Sequence, residues 1–135
     1  MKTAVIFWSG TGNTEAMANA VAQGAGVSAV AVSAFDGDLS QYDAIALGCP
    51  AMGAEELEDG EFEPFFAGIE GKISGKKIVL FGSYDWGDGE WLRLWADRAK
   101  AAGAKLVDEG LAVNNTPDDE GLAKCKALGE KLAKG

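Results

Sequence analysis

Short apolar runs alternate along the chain with longer stretches in which apolar residues recur every three or four positions. Residues 3–8 (TAVIFW), 27–32 (VSAVAV), 44–47 (AIAL) and 77–81 (KIVLF) are brief and rich in β-branched or aromatic side chains. Runs that are apolar throughout fit strands covered on both faces, as in a parallel sheet. A fifth strand is split between residues 105–107 and 110–113 by a polar break. Between the strands, Met17, Ala20, Val21 and Gly24 follow helical spacing. So do Phe62, Phe65, Phe66 and Ile69, and again Leu92, Trp95, Ala96 and Ala99. Each set predicts a helix with one buried face. A last helix is predicted with Thr116 as cap, Pro117 in the first turn and Asp119 three residues after the cap. It would bury Leu122, Cys125, Leu128 and Leu132. One short further helix is predicted over residues 38–42.

Alternating strands and helices define an α/β fold, with a parallel sheet and helices on both faces, in one domain spanning residues 1–135. Ligands of such sheets sit beyond the carboxyl ends of the strands, at the topological switch point. Three loops leave those ends, at residues 9–14, 49–56 and 83–90. All three combine glycine with hydroxyl or acidic residues.

Composition narrows the function. A hydrophobic share of 47% and a charged share of 24% over 135 residues describe a folded, soluble chain. No apolar run reaches the roughly 18 residues of a membrane span. Met1-Lys2-Thr3 leads directly into a strand-like segment without the pattern of a signal peptide, so a cytoplasmic location is expected. Cys49 and Cys125 are far apart and the chain has no histidine, which excludes a Cys/His zinc site and leaves two buried thiols. The net charge, 12 − 21 = −9, argues against nucleic acid. Glu55, Glu56, Glu58, Asp59, Glu61 and Glu63 crowd one stretch without a base, and Asp85, Asp88 and Glu90 form a second group. Such runs are either a solvated face or a docking surface for a basic partner.

The first loop reads FWSGTGNTE. A nucleotide P-loop needs a lysine, and none occurs between Lys2 and Lys72; a dinucleotide fingerprint needs a third glycine where Glu15 stands. What remains is Ser9, Gly10, Thr11, Gly12, Asn13 and Thr14 between a strand and a helix. Hydroxyls and free backbone N–H groups at a helix N-terminus hold an anion without a cation, which suits a phosphate monoester. A capped turn without a ligand is the plainer alternative.

The segments WSGTGNTEAMA, GCPAMGAEELED, EPFF, GKKIVLFGSYDWGDGEW and CKALGEKLA together resemble the short-chain flavodoxins of anaerobic bacteria, over essentially the full length. The resemblance implies a doubly wound, five-stranded sheet of order 2-1-3-4-5 carrying FMN at its switch point. It further implies a low-potential, one-electron carrier rather than an enzyme, monomeric, exchanging electrons with redox proteins that present basic docking faces, away from membranes and nucleic acid. In this family the first loop binds the FMN phosphate. Pro50, Ala51, Met52, Gly53, Ala54 and Glu55 form the second loop; Met52 would lie on one face of the isoalloxazine, and Trp91 on the other. Glu55 would accept from flavin N3–H, with the amides of Ala54 and Glu55 reaching O4. Ser83, Tyr84, Asp85, Trp86, Gly87, Asp88 and Gly89 form the third loop, whose amides from Asp88 onward would serve N1 and O2, and Asn115 would assist. The peptide after Gly53 would turn its carbonyl toward N5 on reduction. Trp8, Trp86 and Trp95 read as packing residues, less specific than Trp91. Ala54 and Asp85 depart from the family pattern, in which an acidic or hydroxyl residue and a glycine are usual. Three rivals stand beside this reading: a flavin-dependent reductase, which needs room for a substrate; a receiver domain, which needs acids that FWSG and LGCP lack; and a module that has lost its ligand.

Overall fold

The computed structural model describes residues 2–10, 12–35, 39–52, 56–85, 89–108 and 110–134. Its strands are β1 (Thr3–Phe7), β2 (Ala29–Ala31), β3 (Ala44–Gly48), β4 (Lys77–Tyr84), β5 (Lys105–Leu106) and β6 (Leu111–Asn114). Its α-helices are α1 (Asn13–Ala25), α2 (Phe62–Ile69), α3 (Glu90–Ala101) and α4 (Asp119–Lys134). The sheet order is β2-β1-β3-β4-β5 and every pairing is parallel. The expected order 2-1-3-4-5 is therefore observed, with the fifth position shared. β5 pairs the start of β4 at Lys77 and Ile78, and β6 pairs its end from Phe81 to Tyr84. Gly110, at φ 104°, stands in the break, and its N–H donates to the Asp108 carboxylate.

Alternate residues of each strand feed opposite faces. Ala4 and Ile6 of β1 face the layer of α2 and α3 with Phe62, Phe66 and Trp95. Val5 and Phe7 face the layer of α1 and α4 with Met17, Val21, Cys125, Leu128 and Leu132. Helices α1 and α4 approach through two glycines. A Cβ on Gly129 would lie 1.9 Å from the Val21 carbonyl oxygen, and one on Gly24 1.9 Å from that of Lys126. Only glycine permits that separation.

Three boundaries differ from expectation. The cap of α4 is Asp118 rather than Thr116: its carboxylate accepts the Gly121 N–H at 2.8 Å, and its carbonyl the Leu122 N–H. A carboxylate at that position satisfies a first-turn donor and opposes the helix dipole. Strand β2 stops at Ala31, where a 3₁₀ turn, Val32–Ala34, begins; another 3₁₀ turn, Leu39–Gln41, stands for the short helix expected there, whose Asp38 lies outside the described residues. Strand β4 continues to Tyr84 because β6 supplies partners for Gly82, Ser83 and Tyr84. That extension carries Ser83 and Tyr84 to the carboxyl edge, beside the ends of β1 and β3, where Phe7, Gly48 and Phe81 stand in register.

Candidate functional site

The first loop leaves β1 with the Trp8 N–H bonded to the Gly48 carbonyl at 2.9 Å. The Ser9 hydroxyl accepts the Gly12 N–H at 3.1 Å and closes the turn. Gly12 takes the N-cap position of α1 at φ 96°, and among the described residues no side-chain hydrogen bond caps this helix. A Cβ on Gly12 would meet nothing within 4 Å, so open space lies before the helix. The first-turn amides are consequently left for an incoming acceptor, with the positive end of the helix dipole behind them.

Thr14 of α1 and Ser83 of β4 bring their hydroxyls to 3.0 Å, with the residues 1% and 5% exposed. Two hydroxyls carry two hydrogens, and the bond between them uses one. The second is a buried donor available to a ligand oxygen. Around this pair lies a cavity of about 130 Å³. The first loop lines it with Trp8, Gly10, Asn13 and Thr14, the second with Pro50, Ala51 and Met52, and the third with Ser83, Tyr84 and Asp85. No lysine or arginine is among them. An anion held here is neutralised by hydrogen bonds and a helix dipole alone.

The second loop continues the ladder from β3 to β4 through Cys49 N–H to Phe81 O and Ala51 N–H to Ser83 O. Met52 and Glu56 then exchange two backbone hydrogen bonds, 2.9 and 3.0 Å, as an isolated antiparallel bridge. Beyond them the buried Glu58 carboxylate accepts three N–H groups, from Gly60 and Glu61 at 2.7 Å and Phe62 at 2.9 Å. Burial raises the Glu58 pKa, but the three amide donors outweigh it and hold the carboxyl below its ordinary value. The Glu58 N–H rests on the Cys49 sulfur at 3.4 Å. Burial pushes the Cys49 thiol up to about 12 and the Cys125 thiol to about 11, so both remain protonated and are unsuited to nucleophilic chemistry.

The third loop is braced from β6. Asn115 donates its N–H to the Tyr84 carbonyl at 2.7 Å, and the Asn114 amide reaches the carbonyls of Tyr84 and Asp85. Asn115, at φ 58°, is the one non-glycine with positive φ among the described residues. Asp85, where the resemblance implies a glycine, is not among the residues of positive φ and sits exposed at the cavity. Gly89 opens α3 at φ 86°, again without a side-chain cap.

The structure therefore brings Gly10, Asn13, Thr14, Pro50, Ala51, Met52, Ser83, Tyr84 and Asp85 to one cavity, shaped by Ser9 and Gly12 and braced by Asn115, while Gly89 stands at the start of α3. Thr11, Gly53, Ala54, Glu55, Trp86, Gly87 and Asp88 lie outside the described residues. Trp91 is not in the cavity lining. Its indole is 1% exposed, packs 5.7 Å from the Tyr84 ring and donates Nε1–H to the Cys49 carbonyl at 3.0 Å. The bond to Cys49 holds the indole against the strand ends, where Gly82 has room for no side chain: a Cβ there would lie 2.1 Å from the Cys49 carbonyl oxygen and 3.0 Å from the indole. Trp8, read from the sequence as packing, instead lines the cavity and bonds through Nε1 to Glu61 at 3.1 Å. Its place immediately before the first loop was the only signal. Glu58 and Asn114 were also missed as bracing residues, because their partners are backbone groups that no side-chain pattern reveals.

No described helix is long and apolar enough to cross a membrane. The Flavodoxin family profile matches residues 5–129. The chain is 48% identical to the flavodoxin of Megasphaera elsdenii, over 96% of this chain and 97% of that protein. It is 47% identical to that of Clostridium beijerinckii, with the same coverage. The solution structure of two-electron reduced Megasphaera elsdenii flavodoxin superposes with a TM-score of 0.87 at 44% identity, over 99% of this chain and 100% of that one. Oxidised flavodoxin 1 of Bacillus cereus gives 0.86 at 32% identity, over 99% and 98%.

Proposed function

The chain belongs to the flavodoxin family and is an FMN-binding electron carrier rather than an enzyme, and from that premise we propose how its own residues hold the cofactor and meet partners. The observation that carries the reading is the neutral donor set where three loops converge: uncapped α1 amides, the buried Thr14–Ser83 hydroxyl pair, and no cation in the lining. That set fits the phosphate ester of FMN. Ser9, Thr11, Asn13 and Thr14 with the α1 amides take the phosphate, and Ser83 orients the Thr14 hydroxyl. Met52, 38% exposed at the cavity, offers a polarizable thioether to the flat ring. Glu55 and the amides of Ala54, Asp88, Gly89 and Glu90 hold its polar edge, with Pro50, Ala51, Tyr84, Asp85, Trp86, Gly87 and Asn115 completing the walls. Trp91 reaches the opposite face only by exchanging its bond to Cys49 for stacking.

When bound, FMN supplies the electron-accepting and electron-donating chemistry, and the protein sets its potentials. Acidic residues unrelieved by lysine or arginine at the cavity disfavour added negative charge, so the carrier works at low potential, one electron at a time. Residues 1–135 act as one domain and as a monomer in the cytoplasm. Glu56 and Asp59 are exposed beside the second loop and face redox partners that present basic surfaces. The buried Glu58 is used internally, and Glu63 pairs with Arg98. They belong to the scaffold rather than to that face.

The test is FMN titration followed by reductive titration under visible absorption. Stoichiometric FMN binding, much weaker riboflavin binding and two resolved one-electron steps are expected. A chain that takes up neither flavin would instead be a module without a ligand. Reduction in one unresolved two-electron step would return it to reductase-like chemistry.

A further inference from the structure

We propose that Glu61 is a positioning residue for the cofactor cavity: by accepting the Trp8 indole N–H it holds that ring as a cavity wall and ties the acidic stretch ahead of α2 to the phosphate-binding first loop. The proposal rests on the FMN reading above. Trp8 Nε1 lies 3.1 Å from Glu61 Oε1, a contact between segments far apart in sequence. Both partners have fixed backbones. The Trp8 N–H is bonded to Gly48 at the end of β3. The Glu61 N–H is bonded to the Glu58 carboxylate at 2.7 Å, and its carbonyl accepts the Phe65 N–H in the first turn of α2.

The indole lies close over the first loop. A Cβ on Gly10 would stand 3.1 Å from Trp8 Cη2 and 3.3 Å from Cζ3, so the glycine gives the ring its place. Trp8 shares the cavity with Gly10, Thr14 and Met52. Its ring is only half-buried, and packing alone does not select one rotamer at such a place. The hydrogen bond does. Glu61 is exposed, so a glutamine of the same reach can serve as acceptor without its charge.

The experiment uses the full chain labelled with ¹⁵N. The indole N–H resonance of Trp8 is assigned by its loss in Trp8→Phe. In the chain without FMN, Glu61→Ala should shift that resonance and speed its exchange with solvent, leaving those of the buried Trp91 and Trp95 in place. Glu61→Gln should leave it close to wild type. In FMN titrations Glu61→Ala should weaken binding roughly 3- to 10-fold, the worth of one partly exposed hydrogen bond. Glu61→Gln should restore it, and Trp8→Phe/Glu61→Ala should bind no worse than Trp8→Phe alone. An unmoved Trp8 resonance in Glu61→Ala overturns the latch. A moved resonance with unchanged FMN affinity overturns the positioning role, and equal losses in Glu61→Ala and Glu61→Gln assign the effect to charge. A wild-type chain that takes up no FMN sinks the FMN reading and the positioning role with it, while the FMN-free spectrum still decides the hydrogen bond.

Discussion

Replacing Thr14 by valine keeps the side chain's shape and deletes one oxygen, so it isolates the hydroxyl pair at the base of the cavity. The Ser83 hydroxyl is 5% exposed and would lose its partner at 3.0 Å. A buried polar group left unpaired costs about 1–3 kcal/mol, a sizeable part of a domain's roughly 5–15 kcal/mol. Ser83→Ala strands Thr14 at a similar cost. The double variant strands neither, so its loss should fall short of the summed single losses by about 1 kcal/mol or more. Urea unfolding of the chain without FMN measures this as shifts in midpoint at constant slope. Binding supplies the second arm. If Thr14 donates to the phosphate, Thr14→Val should weaken FMN binding roughly 10- to 100-fold, or about 1.4–2.8 kcal/mol. Riboflavin, which has no phosphate, should lose less than about threefold, within half a hydrogen bond. Additive stability losses would refute the coupled pair. Equal losses for the two flavins would refute the phosphate seat even if the pair is real.

Trp91→Phe removes the donor to the Cys49 carbonyl and should lower the stability of the FMN-free chain by about 1–3 kcal/mol. It should also brighten bound FMN if the indole exchanges that bond for stacking, whereas unchanged flavin emission would keep Trp91 in the core. Glu58→Gln offers one acceptor oxygen where the carboxylate satisfies three amides, and should cost about 1–3 kcal/mol at neutral pH. Because the folded pKa of Glu58 lies below its ordinary 4.5, its contribution is whole above 4.5 and lost as pH falls through the depressed value. The gap between wild type and Glu58→Gln in urea midpoint should therefore shrink on acidification below 4.5, and a gap independent of pH would refute the role of the ionised carboxylate in holding the three amides. Electron transfer to a basic partner should slow steeply with salt, since steering is screened beyond about 8 Å at physiological ionic strength. Charge reversal at Glu56 and Asp59 should flatten that dependence, and a rate insensitive to salt would make the acidic stretch a solvated face.

Most of the architecture is legible along the chain because it rests on local rules. Strand runs apolar on both faces, helical spacing at Phe62–Ile69, and the polar break before Gly110 each depend on neighbours within a few residues. The first loop is legible for the same reason: glycines, hydroxyls and a following helix make an anion seat wherever they occur together. What the fold alone decides are contacts between distant segments. Ser83 meets Thr14 because β4 runs on beside β6. The Glu58 carboxylate turns inward onto three amides, which removes from the acidic face a charge that composition had counted there. Trp91 finds a buried carbonyl at Cys49, while Trp8, the less conspicuous indole, comes to line the cavity under the hold of Glu61. Periodicity says which face of an element is buried. It does not say which partner waits there, because hydrogen-bond geometry across a sheet edge depends on register and strand length, and those are settled only when the layers pack.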